Sequence, residues 1–502
     1  MAYLDCNQTN GIPRRASRRK SVHRDAENSR AALSTASRVS EDKASDAAEV
    51  KDHKYSGEEI RARRFSSTSA ARPTDEQEPS TLSFVPFDVE DAEPPEYLDG
   101  GFGWVIVAST FVIAFHFLGY LYGWGVIQAH LLGKGLATSQ LLSVIGGLQA
   151  FFNAAGCMPA EWLVRKIGLR KTAVLGVTLN SLAVLLASFC THSLGGLIFL
   201  QGIVAGIACA ILFMVVYPLP AQWFLRKRGI ATGITSCGGG IGGAAWSLII
   251  QKLIDRFGLP WAYRFMALSL MVFGIPAALV LKQGVRPRPP IQGIPATKEP
   301  SIYKSANFVR LLIACFIVSY PFFIPAFFIP QYTISLGYSS STGALFGAIY
   351  NVASGVGRIG FGVFADVLVG NLTSWTVALF AVAISSLCVW PFAYAKGVIA
   401  IFVVLAGMGS GGYFSLQSSI VAQIVGSHRV GPAIGAIELV SSIGFLAGPV
   451  SGGALLDAFG GPDAGAKAYK PAMYLVGGTT FVSVVLAIWI RISYSKKLFV
   501  KA

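Results

Sequence analysis

Charge is what this chain runs short of. Of its 502 residues 13% are charged, and past residue 98 eight carboxylates remain. A soluble enzyme of this size needs a wetter surface, so that class is set aside first. Cysteine is sparse too: Cys6, Cys157, Cys190, Cys209, Cys237, Cys315 and Cys388 are odd in number and form no CxxC pair. All but Cys6 fall in apolar or loop-edge segments, so they read as small packing residues, not a disulfide framework. Six histidines lie scattered, which leaves no metal cluster to expect. There is no Walker motif for ATP drive, and no cofactor is expected. An intramembrane enzyme would need a clustered His, Cys or Asp motif that this chain lacks.

What is present is apolar length. Hydrophobic residues make up 53% of the chain. The character changes at Asp99-Gly100-Gly101-Phe102-Gly103-Trp104: about a hundred polar residues precede it, and roughly twenty-residue apolar blocks follow almost to the C-terminus. Trp104–Ile127 carries one acidic or basic side chain, His116, and is long enough to cross a ~30 Å hydrocarbon core as a helix. Continuous apolarity, not alternation, selects helices over a barrel. Twelve such blocks centre on 104–127, 140–163, 172–190, 194–218, 229–251, 262–282, 308–330, 342–367, 373–394, 397–422, 431–456 and 471–491. The expected architecture is an all-α membrane protein with 12 transmembrane helices in two six-helix halves.

The net charge of +15 suggests nucleic acid until it is located. Residues 1–98 hold 15 Lys/Arg against 18 Asp/Glu, and the rest of the chain holds 26 against 8. The surplus therefore lies in membrane-flanking loops, and no folded basic domain exists to bind nucleic acid. One set of loops holds eighteen Lys/Arg, among them Arg165, Lys166, Arg170, Lys171, Arg226, Lys227, Arg228, Lys282 and Arg429. The alternate set holds seven: Lys134, Lys252, Arg256, Arg264, Lys396, Lys467 and Lys470. The positive-inside rule then puts both termini in the cytosol, with the plasma membrane as the expected location and the vacuolar membrane as the alternative. The sequons Asn7-Gln8-Thr9 and Asn371-Leu372-Thr373 would face the cytosol and stay unglycosylated.

The segments divide as a disordered cytosolic tail (1–98), a first half (99–282), a cytosolic linker (283–307), a second half (308–491) and a C-terminal tail (492–502). The tail has no signal-peptide apolar region. Arg14-Arg15-Ala16-Ser17, Arg18-Arg19-Lys20-Ser21 and Arg63-Arg64-Phe65-Ser66 read either as basophilic kinase sites or as chance matches in a solvated tail. The linker holds five prolines and reads as extended. Gly238–Gly240 with Gly242 and Gly243, and Gly407, Gly409, Gly411 and Gly412, leave flat helix faces for tight packing or for a hinge.

Two six-helix sets joined by a cytosolic linker match the layout of a major facilitator, built from repeated halves around a midplane site. Asp99-Gly100-Gly101-Phe102-Gly103-Trp104 resembles the opening signature of the monocarboxylate porters: acid, Gly, Gly or Ser, aromatic, Gly or Ala, Trp. A second signature of that family runs into the fifth block as Trp223-Phe224-Leu225-Arg226-Lys227-Arg228-Gly229-Ile230-Ala231-Thr232-Gly233, on to Cys237-Gly238. Trp223 stands where Tyr is usual, Ile230 where Leu is usual, and Thr235 and Cys237 where Ala is usual. Over about residues 98–495 the chain resembles the fungal monocarboxylate porter-like branch of the major facilitator superfamily. The facilitator loop after the second block keeps Gly168, Arg170 and Lys171 but has Arg165 at the usual Asp position; its counterpart after the eighth retains Asp366. Candidate gating residues are therefore Asp99, Trp104, Arg226, Lys227, Asp366 and Arg429, with Asp366 expected to pair with Arg429 or another cytosolic cation when the cytosolic end closes. The alternative for the glycines and Trp104 is a sharp interfacial turn and a headgroup anchor.

Ionisable groups at membrane depth cost about 2.5–3.5 kcal/mol on insertion scales and are functional candidates by default. Arg358 in the eighth block and Glu438 in the eleventh stand out. The resemblance implies an anion-binding Arg in helix eight, matched by Arg358, four residues after an Asp. Ser354 occupies that Asp position, and no intramembrane lysine stands between Trp104 and Gln128. Lactate-type proton symport is accordingly disfavoured. A guanidinium fork suits a planar carboxylate. The competing account is a structural Arg358 paired with Glu438 or with helix carbonyls. Glu438 is the candidate for proton coupling, or else a helix-contact carboxylate. Lesser substrate-binding candidates are His116, Tyr120, Gln149, Asn153 and Asn351, with Gln417 beside them; His116/Tyr120 and Gln149/Asn153 each share a helix face at i,i+4. Interhelical hydrogen bonding is the alternative for each. Tyr320, Phe322, Phe323, Phe327 and Phe328 either stack on an aromatic substrate or pack, and Pro321, Pro325 and Pro330 suggest a broken, bendable seventh helix.

The expected function is a secondary active transporter moving a small organic anion or related metabolite across the plasma membrane by alternating access, driven by its gradient or by protons. Its expected partners are that small molecule, protons, the lipid bilayer and a kinase on the tail. The alternatives are a secondary-metabolite exporter and a non-transporting membrane sensor or scaffold.

Overall fold

The computed structural model describes residues 100–224, 227–284, 302–426 and 430–494. The tail, most of the 283–307 linker, the last eight residues and the expected gating residues Asp99, Arg226 and Arg429 lie outside the described residues.

Among the described residues, eleven helices are long and apolar enough to cross a membrane, and a bent pair makes a twelfth. We number the first half α1 (Phe102–Gly133), α2 (Ser139–Ala155 continued by Cys157–Ile167), α3 (Leu169–Ala187), α4 (Leu194–Trp223), α5 (Gly229–Phe257) and α6 (Leu259–Val280). The second half is α7 (Ala306–Ser335), α8 (Ser340–Val369), α9 (Asn371–Phe392), α10 (Lys396–Val425), α11 (Val430–Ala458) and α12 (Ala464–Ser493). Each apolar block of the sequence coincides with one of these spans; the blocks 172–190, 262–282 and 373–394 run two or three residues past the ends of α3, α6 and α9.

Local chemistry sets the ends. Thr138, Ser193, Ser305 and Ser339 accept from backbone amides three residues on, at the starts of α2, α4, α7 and α8, satisfying donors that have no intrahelical partner. Between α2 and α3, α5 and α6, and α8 and α9, one glycine makes the whole corner: Gly168, Gly258 and Gly370 have φ of 88°, 81° and 82°, a region that an L side chain resists. The 51° bend in α2 falls at Gly156, next to Pro159, which has no amide to donate. Helix α7 departs from expectation. It runs unbroken for 30 residues through Pro321, Pro325 and Pro330, because its neighbours hold it on several sides: Tyr320 bonds Ser451 of α11, and Tyr332 donates to Ala393 O beyond α9 at 3.1 Å.

Outer faces are apolar as well, as a lipid solvent requires. Leu175, Leu182 and Leu186 on α3 and Leu268, Met271, Val272, Phe273 and Leu279 on α6 are exposed. The inner faces build one core that runs through the first half into α7, α8 and α10. A second core, confined to the later half, gathers Phe308, Leu372, Trp375, Tyr413, Ile437 and Ile490.

The halves meet along α2/α11, α5/α8 and the C-terminal part of α1 with α7. At mid-depth α5 and α8 pass backbone to backbone: a Cβ on Gly240 would lie 3.1 Å from Asn351 O and Gly355 Cα. Toward the end that carries Arg165, Lys166, Arg170 and Lys171, α11 still meets α2, where a Cβ on Gly435 would lie 3.2 Å from Met158 Cε, but several glycines have no neighbour. Gly229 and Gly233 on α5, Gly360 and Gly362 on α8 and Gly431 on α11 face open space. At the opposite end the halves stay joined, through Asp457 of α11 with Ser139 and Gln140 of α2, and Gln331 of α7 with Ser139.

Candidate functional site

Arg358 lies where α5 and α8 cross, 8% exposed. Its Nη1 donates to Ser236 O on α5 at 2.7 Å and its Nη2 to Tyr122 Oη on α1 at 3.2 Å. The hydroxyl of Tyr217 on α4 faces the guanidinium, and the Phe414 ring on α10 lies under it, 5.7 Å from centroid to Cζ. Nε is buried and finds no partner. Among the described residues no carboxylate pairs with this cation. The expected alternative, a structural Arg358–Glu438 pair, is not formed: Glu438 Oε1 instead accepts from Gln417 Nε2 on α10 at 3.4 Å. The other alternative is half realised, since one of the two bonds goes to a helix carbonyl. That carbonyl belongs to the other half of the molecule.

Rings surround the cation. Phe213 stacks on Tyr217 at 4.4 Å, Tyr122 lies 6.4 Å from Phe323, Phe322 is 4.8 Å from Phe414, and Phe323 is 5.2 Å from Phe445. α1, α4, α7, α10 and α11 thus each contribute an aromatic wall to one centre. Of the α7 aromatics, Phe322 and Phe323 belong to this wall. Phe327 and Phe328 are core, and Tyr320 is engaged by Ser451.

The remaining sequence candidates divide. Asn351 is buried on the same helix as Arg358, seven residues before it, with its amide against Gly243 of α5, so the two share a face. Asn153 on α2 keeps Oδ1 buried and unpartnered. Gln149 is instead used inside the first half: it accepts from Gln201 Nε2 at 3.0 Å and reaches Cys209 Sγ, which Asn180 also contacts. His116 and Tyr120 point away from Arg358. Tyr120 donates to Met266 O on α6 and sits 4.7 Å from the Trp246 ring, and His116 packs against Trp246 and Phe273. Their i,i+4 spacing identified a shared face correctly, but that face packs on α5 and α6. Tyr122, two residues on and about 200° round the helix, is the α1 residue that reaches the cation. The sequence reading missed it, together with Tyr217 and Phe414; nothing in the pattern separates them from other buried rings.

The two signature motifs meet each other. Phe102 lies 5.7 Å from Trp223 and Trp104 4.8 Å from Phe224, and a Cβ on Gly103 would come within 2.9 Å of the Phe224 ring. Trp223 Nε1 donates to Lys282 O at 3.1 Å, Lys282 Nζ lies 4.8 Å over Phe102, and Arg170 Nε donates to Leu281 O at 2.7 Å. This is a clamp on the ends of α1, α3, α4 and α6, and the small residue at 103 permits it. Lys227 is exposed at the foot of α5, and Asp366 opens the π-turn Ala365–Val369 at the end of α8. Its expected partner Arg429 falls outside the described residues.

The fold and the central basic site define a membrane transporter. The chain belongs to the Major Facilitator Superfamily, whose profile matches residues 105–422 and 396–501. "MFS-type transporter pynF" of Aspergillus niger is 32% identical over 361 residues, 71% of this chain and 82% of that protein. The "Fujikurins efflux protein" of Gibberella fujikuroi is 26% identical, over 87% of this chain and 93% of its own length. "Monocarboxylate transporter 13" of Bos taurus is also 26% identical, over 74% and 85%. In fold, a bacterial homologue of the human lysosomal transporter Spinster, solved inward-facing and occupied, superposes with a TM-score of 0.61 at 16% identity, over 80% of this chain and 98% of that one.

Proposed function

We propose that this transporter exports an organic acid with an apolar or aromatic body, by secondary active alternating access at the plasma membrane. One observation carries the reading: among the described residues Arg358 is a buried cation with no carboxylate beside it, an unpartnered Nε, and aromatic walls from five helices. A charge held at that depth is costly unless it is compensated. A substrate carboxylate would complete the guanidinium fork while its apolar body lies against Tyr122, Phe322, Phe323 and Phe414. Asn351 and Asn153 are the neighbouring polar contacts in this reading.

Relatives named for efflux favour the outward direction. Eighteen against seven Lys/Arg puts the basic end, and both termini, in the cytosol. The unoccupied glycine faces of α5, α8 and α11 toward that end support reading it as the open one, through which the substrate would enter from the cytosol. Glu438, whose Oε1 accepts from Gln417 Nε2, is the group we assign to proton exchange, with the Asp366 end of α8 as part of the cytosolic gate.

Counterflow in proteoliposomes loaded with labelled aromatic and polyketide-like acids tests the reading. Saturable flux competed by other carboxylates is expected; its absence for every acid would demote the carrier. Glu438→Gln is expected to flatten the pH dependence of flux, and an unchanged profile would clear Glu438 of proton exchange.

A further inference from the structure

Asp457 carries a second charge whose surroundings the substrate site does not explain. It is the penultimate residue of α11, yet its carboxylate is spent on the other half of the molecule. Oδ1 accepts from Ser139 N at 3.1 Å and Oδ2 from Gln140 N at 2.8 Å. Those are the first two amides of α2, which have no acceptor inside their own helix. The third, Leu141 N, goes to Thr138. The cap of a first-half helix is thus divided between a local threonine and a second-half carboxylate. Gln331 of α7 adds a bond from Nε2 to Ser139 Oγ at 3.3 Å. The approach depends on Gly453: a Cβ there would lie 2.7 Å from Gln140 N and Cα and from Ser139 O.

We propose that Asp457 is a positioning residue of the transport cycle, an exofacial latch that holds the cytosol-open conformation by capping α2 across the two halves. The proposal rests on the transport reading above. Alternating access requires this end to part while the cytosolic end closes. As α2 and α11 separate, the carboxylate trades two backbone amides for water, and α2 keeps only Thr138 as its cap. The strength of the latch therefore sets how often the transporter opens outward. The helix dipole of α2 favours an anion at this position and adds to the hold. Because the bonds go to main-chain amides, mutation of Ser139 or Gln140 leaves them in place, and the carboxylate is the only side chain on which the double cap depends.

The test is pulsed electron–electron resonance between spin labels at Lys134→Cys and Ser341→Cys, exposed positions near this end on opposite halves, with native cysteines replaced. Full-length protein in nanodiscs without substrate serves as the sample. Asp457→Ala is expected to raise the ratio of long to short distances about two- to thirty-fold, the range of a lost cap. Asp457→Asn, which keeps shape and one acceptor oxygen, is expected to give a smaller rise, and Gln331→Leu a smaller one still. Should Asp457→Ala fold poorly, the asparagine variant carries the test alone. Unchanged distances in well-folded Asp457→Asn and Asp457→Ala would overturn the latch. A shifted distribution in a protein that moves no acid would leave the latch standing and sink the export reading, so the two failures are distinguishable.

Discussion

Replacing Arg358 by lysine keeps the charge and removes the fork. The guanidinium reaches Ser236 O at 2.7 Å and Tyr122 Oη at 3.2 Å through two different nitrogens and leaves a third, Nε, buried and free. An ammonium is a single point donor on a shorter reach. It can hold the Ser236 carbonyl or face a ligand, and the planar bidentate grip on a carboxylate goes. One charge-assisted hydrogen bond is worth about 1.5–3 kcal/mol, which at 1.4 kcal/mol per decade is about a ten- to hundred-fold rise in KM. Arg358→Ala removes the charge altogether and strips the Ser236 carbonyl and Tyr122 of their shared partner, so flux should be lost. The assay is concentration-dependent efflux of a labelled acid from proteoliposomes, with melting temperature recorded in parallel. A lysine variant with wild-type KM and wild-type maximal flux would show that the guanidinium is structural and that the anion binds elsewhere.

Two other substitutions separate the substrate centre from its scaffold. Gly240→Val places branched carbons against Asn351 O and Gly355 at the α5/α8 crossing, where even a Cβ would sit at 3.1 Å; overpacking of this kind costs about 1–3 kcal/mol. Flux should fall at least several-fold while membrane insertion, followed by protease protection, is unaffected. Tyr120→Phe removes hydroxyl contacts to Met266 O and Ser269 but touches nothing near Arg358. KM is expected to stay within about twofold with a lowered melting temperature, and a large KM effect would restore Tyr120 to the substrate site.

The sequence made the spans legible because hydrocarbon imposes a length and a composition together. Each of the twelve apolar blocks matches one span to within a few residues, and the α2 bend sits at a Gly followed closely by a Pro. Arg358 was legible for the same reason: a lone cation in an apolar run has no bland place to go. Its surroundings were not. In a lipid solvent both faces of a helix are apolar, so periodicity no longer says which face is inner, and His116/Tyr120 was chosen over Tyr122. Gln149 misled in a related way: a buried amide in α2 suits a ligand or a neighbouring helix equally well, and only the position of Gln201 decides. The prolines of α7 signalled a break that the flanking bonds to Ser451 and Ala393 suppress. Asp457, at a helix end among few other acids, gave no sign in one dimension that it reaches α2, more than 300 residues earlier.

The single-glycine corners at 168, 258 and 370 leave no slack between the helices they join. A strut hinged on one residue transmits displacement instead of absorbing it, so α2 with α3, α5 with α6, and α8 with α9 should travel as coupled levers. Motion begun at the inner member of each pair would then arrive at the lipid-facing member, and the thickness of the surrounding bilayer becomes a load that the transporter must work against on every turnover.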